Sequence, residues 1–416
     1  MSLRMYALES RKRIFTSFPP EVFHMEKETD SNYSRIRERD FIEKIMAGWV
    51  KPASIDTTYF ALHIMKALSY PPSEIVRSKI VDFMNSLYME DGEAGGFRQA
   101  EAVKKISVHA IHSAIGILNL LYSEGNGKFK WDRPLGRELP VKYLGKNKVE
   151  QIINFLKRCQ NDNGGFSEDA SNDPSINAST SVLWCLWHLE ALDKCNFEGL
   201  LGFMEKQVVE KDGNSVIGFR NQSKDRCAWI CATYYAYRSF YTIKKHNEEV
   251  LRNRKIPDPQ KVINFISSCI KSGEGKGEPK AFAASADLKP TIIHTKDALS
   301  LVSGKYLDME KAKGVFTDES LVNGIECFLA NCEYKGVYGF GERKYYFPNI
   351  YATQLALDIK AMLKKNLGNK DDLVDSQQKK LILEFVNSCY DQKSGGYRGY
   401  SNSPKYIPND GIQKFN

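Results

Sequence analysis

The chain has 416 residues, and 59 Lys and Arg against 51 Asp and Glu give a formal charge of +8. An apolar content of 42% with 26% charged residues is that of a globular protein, and it excludes a disordered, collagenous or coiled-coil chain. No stretch approaches the roughly 18 to 20 apolar residues of a membrane span, and no lysine- or arginine-rich block suggests nucleic acid as a partner. The start, Met1 to Phe15, has no apolar core behind its charges, so no secretory leader is expected. Nine cysteines without a single Cys-x-x-Cys pair argue against a zinc ribbon or a thioredoxin-like motif, and they point to a reducing, cytoplasmic compartment.

Residues 1–40 lack the pattern that organises the rest and are expected to form a cap or arm. From residue 41 onward one unit recurs: a helix carrying a Phe, a turn closed by Gly and an aromatic residue, and a second apolar helix. The weakest copy is at Phe41, with the matching second helix TTYFALHIMKAL from Thr57. Phe83 leads to Gly96-Phe97 and a helix from Ser107; Phe155 leads through QNDNGGF to a helix from Ser179. Phe203 precedes Gly218-Phe219 and a helix from Cys227, and Phe265 precedes a helix from His294. Phe328 precedes Gly339-Phe340 and a helix from Ile350, and Phe385 precedes Gly396-Tyr397. In four copies a Cys follows the Phe by four residues (Cys159, Cys269, Cys332, Cys389), which places both on one helix face as packing residues. Strand signals are nearly absent. Helix pairs of this kind cannot bury their apolar faces alone and must stack. The long, unequal loops favour a closed ring over an open solenoid, so residues 41–416 are expected to form one all-α domain, an α/α toroid of six to seven helix hairpins.

The repeat, and QNDNGGFSED most of all, resembles that of the prenyltransferase and squalene-cyclase superfamily over roughly residues 40–400. In size the β subunits of protein prenyltransferases match best. The resemblance implies transfer of a prenyl group from a polyprenyl diphosphate to a protein cysteine, with a zinc ion and a helical-repeat α subunit as partners. In GFRNQSKDRCAW, Arg220 and Lys224 then stand where the family holds diphosphate, and Asp225 and Cys227 where it holds zinc. His294 in the next unit completes that zinc set. A second register aligns the last units instead; it offers Arg343 and Lys344 for the diphosphate but Asn349 and Tyr351 in place of the metal pair. Trp184, Trp187, Trp229, Tyr234 and Tyr235 are the candidate walls of an isoprenoid pocket, because they supply large apolar surface.

Two other readings stay open at this level. One is a non-catalytic toroid that binds a partner protein or an apolar ligand. The other is a different enzyme on the same ring. A terpenoid cyclase needs an acidic cluster, for which only Asp371-Asp372 offers itself; a polysaccharide-active enzyme needs two carboxylates facing one cleft, for which Glu168, Asp169 and Asp173 are available. His109 and His112 share a helix face, with no acidic or cysteine partner visible in the sequence.

Overall fold

The repeat unit folds as an outer helix, a tight turn and an inner helix. In the computed structural model the described residues are 52–122, 134–171, 173–211, 215–272, 279–303, 306–307, 318–334, 339–343, 348–366 and 373–401. Phe41, Lys344, Asp371 and Asp372, and the boundary expected at residue 40, lie outside them. The inner helices are α1 (Ile55–Ala67), α3 (Val108–Tyr122), α6 (Ile176–His188), α8 (Ile230–His246), α10 (Ile292–Val302) and α12 (Ile350–Asn366). The outer helices are α2 (Glu74–Ser86), α5 (Lys146–Arg158), α7 (Phe197–Glu205), α9 (Pro259–Ser268), α11 (Glu319–Cys332) and α13 (Ser376–Ser388), with a short extra helix α4 (Glu138–Leu144) before α5. Each inner helix packs on the next in chain order, and α12 packs back on α1, so the six close into a ring with the outer helices behind them. The α/α toroid expected from the repeat is the fold observed.

Burial follows from this layering. An inner helix is flanked on both sides and from behind, so α3 buries Val108, Ala110, Ile111, Ile115, Ile117 and Leu118 around most of its circumference. An outer helix buries one stripe only, as α5 does with Val149, Ile152, Ile153, Phe155 and Leu156. Three turns are short antiparallel hairpins: β1 (Tyr88–Asp91) with β2 (Ala94–Phe97), β3 (Val208–Lys211) with β4 (Val216–Phe219), and β5 (Ile270–Ser272) with β6 (Lys280–Phe282). Elsewhere the hairpin shrinks to one bridge, Gln160 to Phe166, Glu333 to Phe340 and Tyr390 to Tyr397. Strands of three or four residues are too short to carry an alternating pattern, which is why the sequence shows no strand there.

The turn aromatic is the keystone of five of the six units; in the Phe97 unit Ile111 stands where the others carry the accepting hydroxyl. The aromatic's backbone N–H donates to a hydroxyl one turn inside the following inner helix: Phe166 to Ser179 (3.0 Å), Phe219 to Thr233 (3.0 Å), Phe282 to Thr295 (3.1 Å) and Phe340 to Thr353 (3.0 Å). Neighbouring units are then stitched together. The first N–H of each inner helix donates to a carbonyl of the next unit's turn, as in Ile55 to Gln99, Val108 to Glu168, Ile176 to Asn221, Ile230 to Ala284 and Ile292 to Glu342. The turn glycine makes room for the next unit's outer-helix Phe. A Cβ on Gly165 would meet the Phe203 ring at 2.7 Å, one on Gly218 the Phe265 ring at 2.9 Å, and one on Gly339 the Phe385 ring at 3.3 Å. The Phe and the Gly of the sequence repeat are thus two halves of one contact between units.

The same bonds close the ring. Tyr397, in the last turn, donates its N–H to Thr58 of the first inner helix at 2.9 Å, Ser54 donates to the Tyr397 carbonyl at 3.2 Å, and Gly396 lies against Phe83. The sixth unit is therefore composite: its outer helix, α13, comes from the end of the chain and its inner helix, α1, from the beginning.

Candidate functional site

Because all six inner helices start in the same register, their inward residues form tiers. Counting from the first residue of each helix, the second position supplies Asp56, His109, Asn177, Cys231, Ile293 and Tyr351. The fifth supplies Tyr59, His112, Thr180, Tyr234, Lys296 and Gln354, and the ninth His63, Gly116, Trp184, Arg238, Ser300 and Asp358.

One arc of the ring, α12 through α1 and α3 to α6, is aromatic. Tyr351 meets Phe60 at 4.7 Å between ring centroids, Phe60 meets Tyr59 at 5.5 Å, and Tyr59 meets His63 at 4.7 Å and His112 at 5.8 Å. The chain of rings continues from His112 to Trp184 at 4.2 Å, from Trp184 to His188 at 4.1 Å and from His188 to Trp187 at 5.0 Å. Burial lowers the three imidazoles, His63 and His188 to about 3 and His112 well below its ordinary value, so this arc is uncharged at neutral pH. Gly116 makes the packing possible, because a Cβ there would stand 2.3 Å from the Tyr59 ring.

The opposite arc, α8, α10 and α12, is ionic. Lys296 Nζ lies 4.5 Å from the Tyr234 ring centre, 3.5 Å from the Tyr234 hydroxyl and 3.4 Å from Asp297 Oδ1. Tyr306 meets Tyr234 edge-on at 5.8 Å, and Arg238 stands one helical turn beyond Tyr234. Burial raises the Asp297 and Asp358 carboxyls, the latter to about 6, against the opposing pull of Lys296. The charge of Arg238 acts on Tyr59, His112 and His188, so the two arcs sit within electrostatic reach of each other across the ring.

At the rim, His109 donates its backbone N–H to Glu168 Oε1 at 2.9 Å and holds Glu168 Oε2 through Nδ1 at 2.7 Å. The neighbouring carboxylate, chiefly Glu168, raises the imidazole to about 9. Ser113 donates to Asp56 Oδ1 at 2.6 Å beside it. Glu168 is the partner that the sequence did not reveal for His109. It stands two residues after the turn Phe166, a position that caps the preceding inner helix in every unit. Asp169 pairs with Lys105 and Asp173 with Lys224, so these loop carboxylates already have partners at the surface.

The residues singled out from the sequence divide between ring and loops. Trp184, Trp187, Tyr234 and Tyr235 are on the inner helices described above, and Trp229 caps α8. Arg220 donates to the Lys206 carbonyl at 2.8 Å and to Gln207 Oε1, which ties it to the end of its own outer helix, and Lys224 lies exposed. Arg343 lies beside His294 and, after burial, contributes to lowering that imidazole to about 4. His294 Nδ1 shares a 2.8 Å hydrogen bond with Thr291 Oγ1. Asp225 Oδ2 accepts the Gln222 N–H at 2.8 Å inside its own turn, and burial raises the Cys227 thiol. Among the described residues no three His, Cys, Asp or Glu side chains are grouped so as to hold a metal ion, so Asp225, Cys227 and His294 are not brought together as a ligand set.

A family model, the prenyltransferase alpha-alpha toroid domain, matches residues 15–303 and 300–406. The chain belongs to this family. Among solved structures, this prenyltransferase toroid is similar to Candida albicans protein geranylgeranyltransferase-I complexed with GGPP, with a TM-score of 0.56 and 14% identity over 83% of this chain and 95% of the other. At that identity the likeness is one of fold. A search of curated proteins found no match. Among the described residues of the toroid no helix is long and apolar enough to cross a membrane.

Proposed function

We propose that this toroid is a protein prenyltransferase β-like subunit, which takes a polyprenyl diphosphate into its ring and passes the prenyl group to a protein cysteine. The observation that carries the reading is the uncharged arc of rings from Tyr351 to Trp187 inside the ring, within electrostatic reach of Arg238 on the ionic arc. An isoprenoid chain gains by burying apolar surface on such a wall. In the reaction the bond from C1 to the diphosphate oxygen breaks and its electron pair leaves with the diphosphate. A bond from C1 to the cysteine sulfur forms, and the thiol proton passes to solvent. All nine cysteines are free, which suits a reducing, cytoplasmic setting, and the reading includes a helical-repeat α subunit as the partner.

The test is quenching of tryptophan fluorescence by farnesyl and geranylgeranyl diphosphate, followed by transfer to a peptide ending in a cysteine motif. Saturable quenching that falls at least tenfold in affinity in Trp184→Ala supports the reading; no saturable binding of either diphosphate sinks it. The lack of a metal-holding group among the described residues favours a second reading, in which the toroid binds the prenyl compound without transferring it. Saturable binding with no transfer, in the presence of the co-purified partner, selects that reading.

A further inference from the structure

We infer that the end of the ring away from the turns docks on an anionic bilayer surface, with Tyr70 and Ile75 on one side and Ile256 on the other as the inserting residues. The inference goes beyond prenyl transfer and does not rest on it.

The six inner helices start in one register, so each connection from an inner helix to the outer helix that follows lies at the same end of the ring. Among the described residues three large apolar side chains stand exposed, Tyr70 at 47%, Ile75 at 73% and Ile256 at 40%, and all three are at this end. Tyr70 lies between α1 and α2, Ile75 in the first turn of α2, and Ile256 between α8 and α9. Helices α1 and α8 stand three places apart in a ring of six, so the two apolar tips flank the ring and meet a flat surface together.

Both tips are braced. The chain leaves α1 through Ser69 in left-handed backbone (φ 51°), the Tyr70 N–H bonds back to the Met65 carbonyl at 2.8 Å, and Arg77 Nε donates to the Pro72 carbonyl at 3.0 Å. On the other side Arg254 pairs with Glu198 and, at 3.4 Å, with Glu205, while Tyr237 donates its hydroxyl to the Pro257 carbonyl at 2.8 Å. Beside the first tip Tyr122 stacks on Tyr143 at 4.0 Å, with Lys142 Nζ 5.4 Å from the Tyr143 ring. Glu74 and Arg77 both act on the Tyr122 hydroxyl, so this pair borders the start of α2. Tyrosine rings beside lysine stems are the side chains that rest at a bilayer–water interface.

The charge is placed with the tips. Lys142, Lys146 and Lys365 are exposed in the sector from α12 to α4, and Lys245 and Lys255 around Ile256. Nearby carboxylates are largely engaged: Glu74 with Arg77, Glu248 with Lys244 and Glu249 with Arg252, while Asp258 and Asp375 cap α9 and α13. The α6–α7 connection, with Glu190 and Asp193 against Lys194, is acidic and carries no exposed large apolar residue. Two small tips on opposite sides offer a protein partner no continuous apolar area. A bilayer takes them independently, the lysines staying with anionic headgroups and the tips reaching the acyl boundary.

The test is sedimentation of the full chain with sucrose-loaded vesicles, of phosphatidylcholine alone or with about 30% phosphatidylserine. Binding to the anionic vesicles is expected to exceed binding to the neutral ones at least tenfold at about 0.1 M salt, and to fall at least tenfold at about 0.5 M. A cation near an anionic leaflet contributes about fivefold, so the double variant Lys245→Glu, Lys255→Glu should lose tenfold or more. Ile75→Ser, Ile256→Ser should lose about tenfold at an unchanged melting temperature, because both side chains are exposed. Lys104→Glu, Lys289→Glu makes the same charge change on exposed turn-side loops and should stay within about threefold. No binding to anionic vesicles, equal binding to neutral ones, undiminished binding in the isoleucine variant, or an equal loss in Lys104→Glu, Lys289→Glu would each overturn the assignment.

Discussion

Replacing Gly165 by Ala tests the idea that the repeat's Gly and Phe form one contact between units. The new Cβ would stand 2.7 Å from Cγ and Cδ1 of Phe203, where carbon atoms in contact keep about 3.5–4.0 Å. The ring must therefore move by about 1 Å, and Phe203 is only 1% exposed, with packed neighbours on every side. Overpacking of this kind costs about 1–3 kcal/mol. Reduced freedom of the unfolded chain returns about 0.4–1 kcal/mol, so the net loss is on the order of 1–2 kcal/mol. Gly202, the residue before Phe203 in α7, has nothing within 4 Å of its Cβ position, and Gly202→Ala should gain about 0.5–1 kcal/mol. Thermal unfolding followed by circular dichroism reads both, at roughly 1–2 °C per kcal/mol for a domain of this length. The double variant Gly165→Ala, Phe203→Ala should be less destabilised than the sum of its parts by about 1 kcal/mol, because the truncated ring leaves room for the methyl group. Strict additivity, or a Gly165→Ala protein as stable as wild type, would refute the interlock.

Thr58→Val removes the acceptor of the Tyr397 N–H at the ring closure, and leaving that buried donor unpaired should cost about 1–3 kcal/mol, as Thr353→Val should within the ring. An unchanged melting temperature for Thr58→Val alone would mean that the closure contributes nothing. His109 rises from 6.5 to about 9 on folding, so its pairing with Glu168 adds stability that is complete below about pH 6.5 and lost as pH climbs through 9. The imidazole side chain is 40% exposed, so screening limits the effect to about 1 kcal/mol. The melting gap between wild type and Glu168→Gln should therefore shrink from pH 6 to pH 10, and a constant gap would count against the ion pair. Elemental analysis of the purified chain should find no zinc that Cys227→Ala removes; one zinc per chain, lost in that variant, would reverse the reading of Asp225, Cys227 and His294.

The architecture was legible because the unit is written repeatedly, with the glycine-aromatic turn in five of the six units and Ala281-Phe282 in the other. A Phe, a glycine-aromatic turn and an apolar helix recur at positions that the ring makes equivalent, and closure is visible as Tyr397 taking the place that Phe166 or Phe340 holds elsewhere. The hairpin strands were not legible, since their few residues double as the turn signal. The lumen was half legible. Trp184, Trp187 and Tyr234 stood out as aromatic residues, but Arg238 and Lys296 look like ordinary solvated charges along the chain. Only the shared register of the inner helices, fixed by the bond from each helix's first N–H to the next turn, shows that they face one space. Arg220 and Lys224 stand out through their spacing from Asp225 and Cys227, whereas Arg220 is held by the end of its own outer helix and Lys224 by Asp173 in a loop.

The composite sixth unit sets a clock on biogenesis. Tyr397 lies 339 residues after Thr58. At a synthesis rate of about 5–20 residues per second, helix α1 leaves the ribosome roughly 20–70 seconds before the turn that caps it exists. Throughout that interval its apolar flank lacks α13, the outer helix that pairs with it among the described residues. The ring seam is thus the last contact of the fold to be completed as the chain is made.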